Sequence, residues 1–210
     1  MAAPAALDPE DTMHQNHPAP ISGLLERGFE TTTSLLASVP ADGWDRPSPC
    51  ADWTVRQVGN HLAGGLTLLA RVANGEPVAP EEHDPRLTSG TDHLGSDPAA
   101  SFAAVAERCL AAFGAPGALE RIVSFAAGPV PAAVLADVCL LESLVHGWDI
   151  ASGAQVSFKP EDAVLDAVTA FSQRAIGAEN RANGQFGPAL TAAPADPPLT
   201  SLLAHLGRQA

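Results

Sequence analysis

No tyrosine occurs among the 210 residues, and aromatic side chains make up only 5% of them. A chain poor in aromatics and rich in alanine suits close-packed helices better than a β-sandwich, because small, straight side chains favour the helix and do little to fill a half-buried pleated surface. Basic residues are also scarce. Eleven Lys and Arg stand against 24 Asp and Glu, a formal net charge of −13. That balance leaves no basic footprint for nucleic acid and no attraction to an anionic membrane; its simplest use is solubility. No apolar run approaches the ~18–20 residues of a membrane span. The opening "MAAPAALDPEDTMHQNHPAP" has neither the basic start nor the apolar centre of a secretory signal. Residues 1–19 therefore read as a disordered leader, and 20–210 as one helical domain. Cys50, Cys109 and Cys139 are odd in number, widely spaced and without a CxxC pair, which points to a reducing, cytoplasmic compartment. An alanine-rich bundle could also pair with a second copy as a homodimer.

What is present is helical periodicity. A first helix is expected from Pro20 to Ser38, with Ile21, Leu24, Leu25, Phe29, Leu35 and Leu36 as its apolar positions. Thr54 and Gln57 form a capping box at the start of a second helix, with Trp53 and Val58 placed as a hydrophobic staple, and Asn74–Gly75 suits its end. Residues 81–97 read as a polar loop. Asp97 and Pro98 open a third helix that runs to Phe113. Residues 119–125 read as a short strand or an extended linker. A fourth helix spans Pro131–Ser152, closed by Gly153, and a fifth spans Pro160–Asn180. The tail is extended and proline-rich, and ends in a short amphipathic helix. Four or five helices of this length with modest loops describe an all-α helix bundle.

The stretch "LLESLVHGWDI" at 140–150 sets Glu142, His146 and Asp149 on one helix face, among Val134, Leu135, Val138, Leu141 and Val145. Charge in an apolar stripe costs several kcal/mol unless it is compensated. His61 lies at the edge of the second helix's stripe of Val55, Val58, Leu62, Leu66 and Leu69. Glu142 and His146 at i, i+4 can present two donor atoms to one ion, and His61 is the best third donor from a neighbouring helix. Two histidines and a carboxylate with an open position suit a catalytic zinc, and equally a non-haem iron or nickel centre. The competing reading is a buried Glu–His ion pair inside the bundle. The order Glu-x-x-x-His is not the HExxH of the zinc proteases.

Asp149 either orients a ligand histidine or pairs with a cation. His83, Asp84, Asp92 and His93 could gather around a second ion, but read as a solvated loop. Cys50 has no basic neighbour in sequence nearer than Arg46, so it reads as an inert structural thiol. Trp53 and Trp148 read as core or capping residues, and His205 and Arg208 as surface residues of the last helix.

"PSPCADWTVRQVGNHLAGG" resembles the TPC-x-x-W-x-V-x-x-L-x-x-H-L segment of actinobacterial DinB-like proteins, and "LLESLVHGWDIASG" resembles their E-x-x-x-H-x-W-D-[LI]-A segment. "FGPAL…PPLTSLLAHLGR" is similar to the close of the same group, which includes the N-terminal domain of mycothiol-dependent maleylpyruvate isomerase. The resemblance implies a DinB-like four-helix bundle, up-down-down-up, with a further C-terminal helical and extended segment. It implies a divalent metal, usually zinc, held by His61, Glu142 and His146. It also implies an enzyme that activates a small thiol such as mycothiol toward an electrophilic small molecule, by S-transfer or isomerisation. A metal-dependent hydrolase and a non-catalytic metal-binding bundle are the alternatives. The isomerase carries an additional C-terminal domain, whereas only residues 153–210 follow the fourth helix here, and a basic residue of that domain has no mapped counterpart.

Overall fold

Phe29, Leu62, Leu66, Phe102, Leu135 and Leu140 come from four separate stretches of chain, yet each is almost fully buried. Each lies on an apolar stripe of its helix, and packing those stripes together forms the core. The computed structural model describes residues 20–210 apart from 51, 126, 127 and 183; the leader expected over 1–19 lies outside the described residues. The stripes belong to α1 (Ile21–Ser38), α2 (Val55–Ala73), α4 (Pro98–Gly114) and α5 (Ala132–Ala154). A short α3 (Pro85–Gly90) follows α2, and α6 (Asp162–Ala175), α7 (Ala178–Ala182) and α8 (Pro198–His205) follow α5.

Helix directions follow from neighbouring residues. Gly28 faces Leu140, and Thr32 Oγ1 lies 2.8 Å from Ser143 Oγ, so α1 and α5 run the same way. Val55 faces Gly153 while His61 faces Glu142, so α2 opposes α5. Asn60 meets Leu94 just before α4, and Leu66 O accepts from Cys109 Sγ within it, so α4 runs with α2. The four helices are up, down, down, up in chain order: a DinB-like bundle, with a C-terminal helical and extended segment packed on α5 and α6. The strands among the described residues are one antiparallel pair, β1 (Ile122–Phe125) with β2 (Gly128–Pro131), in register Val123 to Val130, beside an isolated bridge between Pro47 and Thr54. No described helix is long and apolar enough to cross a membrane.

The helix ends show their causes. Thr54 Oγ1 accepts from Gln57 N, and Thr54 N donates to Gln57 Oε1 at 2.9 Å, completing the capping box. Gly75, at φ +78°, closes α2: its N–H reaches Val72 O and the Glu76 N–H reaches Arg71 O, the paired bonds of a Schellman cap. Asp97 accepts from Ala100 N to start α4.

Three expectations are corrected. Gly153 does not end the fourth helix; a Cβ there would stand 2.7 Å from Val55 Cγ2 and 2.8 Å from Pro47 O, so the glycine serves close packing. Gln155 takes the left-handed turn instead, at φ +60°. The expected fifth helix stops at Ala175, because Ile176 turns extended and is buried, and Asn180 Oδ1 then accepts from Gly177 N to start the separate α7. Finally, the stretch 81–97 is not a free polar loop. It contains the end of a 3-10 turn (Pro80–His83) and α3, and Ser89 and Leu94 are buried against the bundle.

Candidate metal centre

Two antiparallel helices facing each other bring residues far apart in sequence to one level. His61, two turns into α2, meets Glu142 and His146 near the middle of α5. His146 Nε2 lies 3.1 Å from Glu142 Oε2, and His61 Nε2 lies 3.8 Å from the same oxygen. The two imidazole centroids are 5.1 Å apart, with their planes at 89°. One donor atom from each of the three residues falls within 4.8 Å of the others. A tetrahedral ion with bonds of ~2.0–2.1 Å asks for donor separations of ~3.3 Å, and the 3.1 and 3.8 Å separations from Glu142 Oε2 lie on either side of that value. The donor chemistry, two imidazoles and a carboxylate, fits a zinc-like ion. The centre is open on one side, since the Glu142 side chain keeps 30% of its exposure against 11% for His146.

A second group, Cys50, His146 and Asp149, has its donor atoms 2.9–3.8 Å apart, but a cation already sits beside it. Arg208 donates from Nε to Asp149 Oδ1 at 2.9 Å and from Nη2 to Oδ2 at 2.8 Å, and Nη2 lies 3.9 Å from Cys50 Sγ. Asp149 also accepts from His146 Nδ1 at 2.9 Å and from Cys50 Sγ at 3.1 Å. A guanidinium so placed repels a metal ion, so the first group is the metal candidate. The two sets share His146: Nδ1 is tied to Asp149, which leaves Nε2 to the Glu142 side.

Electrostatics agree with that division. Burial opposes charge on every member. In Glu142 the neighbouring His146 and His61 outweigh burial and hold the carboxyl down at about 2. In Asp149 bonds from His146 and Arg208 do the same, placing it well below the usual carboxylate range. His146, between the two carboxylates, is raised well above an ordinary histidine despite its burial. His61 goes the other way, lowered to about 4 by burial and then by the His146 charge, which Glu142 only partly offsets. Without an ion, the two carboxylates favour positive charge on His146 over His61.

The structure brings His61, Glu142, His146 and Asp149 together, and it adds residues that sequence reasoning missed. Arg208 is no surface residue: its side chain is 17% exposed and inserted beside α5. The expected surface His205 is half-buried, with Nε2 3.4 Å from Ser172 O. Cys50 has a basic neighbour after all, in Arg208, and its Sγ lies 3.1 Å from Asp149 Oδ2 and 3.8 Å from His146 Nδ1. Trp53 lies against His61, ring centroids 4.9 Å apart, and so belongs to the site rather than only to the cap; Trp148 is half-buried on α5. Thr88 Oγ1 lies 2.8 Å from His61 Nδ1. The four loop residues, read from the sequence as solvated rather than as a second ion site, are dispersed. Asp84 caps α3, Asp92 pairs with Arg56 at 2.8 Å, His83 packs on Phe125, and His93 covers Gly64.

Comparison with known proteins follows the same lines. Residues 25–151 match the family described as the mycothiol maleylpyruvate isomerase N-terminal domain. An uncharacterized protein of Mycobacterium tuberculosis, found in two strains, is 29% identical over 186 residues, covering 87% of this chain and 94% of the relative. The crystal structure of the mycothiol-dependent maleylpyruvate isomerase superposes with a TM-score of 0.57 at 22% identity, covering 75% of this chain and 71% of the other. That of a histidine-to-alanine mutant gives 0.58 at 20% identity with the same coverage. At these identities the likeness speaks for the fold.

Proposed function

Because the chain belongs to the mycothiol maleylpyruvate isomerase N-terminal domain family, we propose that it is a metal-dependent enzyme using a low-molecular-weight thiol of the mycothiol class. In this reading His61, Glu142 and His146 hold one divalent ion, zinc by the donor set, and the thiol acts on an electrophilic small molecule by S-transfer or addition–elimination isomerisation. The observation that carries it is the convergence of three donor atoms within 4.8 Å on the side where Glu142 stays partly open. Bound there, the ion supplies Lewis acidity that favours thiolate over thiol near neutral pH.

The chain's own residues prepare that site. Asp149 fixes His146 by accepting from Nδ1, so that Nε2 faces the open side. Arg208 neutralises Asp149 and keeps its charge from accumulating beside Glu142. Trp53 walls one flank of His61. Hydrolysis at the same centre would need a further base. Asp149, the other carboxylate bonded to His146, is occupied by His146, Arg208 and Cys50, which favours the thiol reading.

The test is a visible and near-ultraviolet spectrum of the cobalt-loaded protein with Cys50→Ser, Cys109→Ala and Cys139→Ala, so that no protein thiol contributes. Adding a small thiol is expected to produce a sulfur-to-metal charge-transfer band. An unchanged spectrum with cobalt still bound would transfer the proposal to a hydrolase or to a non-catalytic metal-binding protein.

A further inference from the structure

We propose that Thr88 is a positioning residue for His61, its hydroxyl selecting the tautomer in which Nε2 is left free as a donor. The inference rests on the reading of His61 as a ligand, but its own evidence is a chain of hydrogen bonds. His61 Nδ1 lies 2.8 Å from Thr88 Oγ1, and Thr88 Oγ1 donates to Pro85 O at 3.0 Å. A hydroxyl has one proton. With that proton given to Pro85, Thr88 accepts from His61, so Nδ1 carries the hydrogen and Nε2 keeps its lone pair. Nε2 is the nitrogen on the Glu142 side. Asp149 accepts from Nδ1 of His146 in the same way, so in both rings Nε2 is the nitrogen turned to Glu142, one held through a carboxylate and one through a hydroxyl.

The stretch that carries Thr88 is seated on α2 by three small or polar residues flanking His61. Asn60 Oδ1 accepts from both His93 N at 2.9 Å and Leu94 N at 3.1 Å. A Cβ on Gly64 would stand 2.7 Å from His93 Nε2 and 3.0 Å from Thr88 Cβ, and one on Gly59 would stand 2.7 Å from Leu94 Cδ1. The bare backbone at 59 and 64 lets the segment come close enough for the hydroxyl to reach the ring. Residues 84–94 thus hold a metal-site histidine in place without supplying a ligand.

The experiment compares wild type, Thr88→Val and Thr88→Ser by two readouts. Competition with a chromophoric chelator gives zinc affinity, and long-range proton–nitrogen correlation spectra of the metal-free, imidazole-labelled protein give the His61 tautomer. Loss of the hydroxyl is expected to weaken zinc binding by ~10–100-fold, the range for partners that orient ligands, and serine should restore it. The wild type and Thr88→Ser should show the Nδ1–H form of His61. Thr88→Val should shift toward the Nε2–H form preferred by unconstrained histidine. Unchanged affinity in Thr88→Val, or an Nε2–H ring in the wild type, would overturn the proposal. If the wild type took up no zinc, the metal reading would fall, and the spectra alone would still decide whether Thr88 sets the ring.

Discussion

Arg208 and Asp149, 59 residues apart in sequence, are joined by two parallel bonds, Nε to Oδ1 at 2.9 Å and Nη2 to Oδ2 at 2.8 Å. This fork-to-fork geometry is the strongest arrangement available to the two groups, and the carboxylate it meets is fully buried. The end of α8 aims the guanidinium. Gly207, at φ +80°, donates to Ala204 O, and Arg208 N donates to Leu203 O, a Schellman cap that swings the chain toward α5. The last residues are thereby built into the wall of the candidate site.

Removing that guanidinium should be costly. Arg208→Ala strips Asp149 of one of its two cationic partners, and the loss is expected to be about 3 kcal/mol in denaturant unfolding of the metal-free protein. Lysine should recover only part of it, because a single ammonium cannot span both oxygens. An alanine variant as stable as wild type, or full rescue by lysine, would contradict this account of the tail.

The same cluster dictates a response to acid. The Asp149 carboxyl is lower in the folded chain than in the unfolded one, where it titrates near ~3.9. His146 and Arg208 bring this about against the effect of burial. Between those two values the unfolded state binds more protons, so stability falls as pH falls, and the contribution is complete only above the unfolded value. His146 has the opposite sign: raised when folded, it stabilises below ~6.5 and loses that contribution as pH climbs through its folded value. Stability of the metal-free protein should therefore decline on both sides, and Asp149→Asn should make the acid limb shallower without abolishing it, because Glu142 and His61, both lowered in the folded chain, add to the same limb. A wild-type acid limb equal to that of Asp149→Asn would argue against the cluster.

Two adjacent glycines on α2 should behave oppositely. Gly65 has nothing within 4 Å of where a Cβ would be, so Gly65→Ala should stabilise by about 0.5–1 kcal/mol through helix propensity alone. Gly64 lies under His93 and Thr88, and Gly64→Ala should destabilise by roughly 1–3 kcal/mol from overpacking. Thermal melts of the two variants make the comparison, and equal effects would mean that the 84–94 segment does not bear on α2.

Helical periodicity carried most of what was legible. Glu142 and His146 at i, i+4 within an apolar stripe, and His61 at the edge of another, predict one shared level between two helices, and the structure places them there. The capping signals at Thr54 and Asp97 hold for the same reason, since a cap is a local event. Gly153 misleads because glycine marks both helix ends and close approaches, and only the fold shows Val55 and Pro47 filling its space. Arg208 is hidden for a different reason. A buried Asp149 announces that it needs a cation, but choosing among eleven Lys and Arg depends on where the tail crosses. It crosses where Gly207 lies against Gly187, backbone on backbone. The six residues of α3 are too few for a periodic pattern; Asp84 followed by Pro85, an N-cap and a first-turn proline, is the signal that could have found it. Thr88 becomes visible only with that helix.

The most direct test of the account is metal content and affinity across the triad. Wild-type protein is expected to bind roughly one zinc ion per chain, as a site with three protein ligands and an open position does. His61→Ala, Glu142→Ala and His146→Ala should each lose stoichiometric binding in calorimetric titration while keeping the helical circular dichroism of the bundle. His146→Ala is the sharpest of these, because it removes a donor and leaves both Glu142 and Asp149 without their shared partner. Loss of the ion in that variant is the result predicted here; one zinc per chain at wild-type affinity in His146→Ala would contradict the assignment.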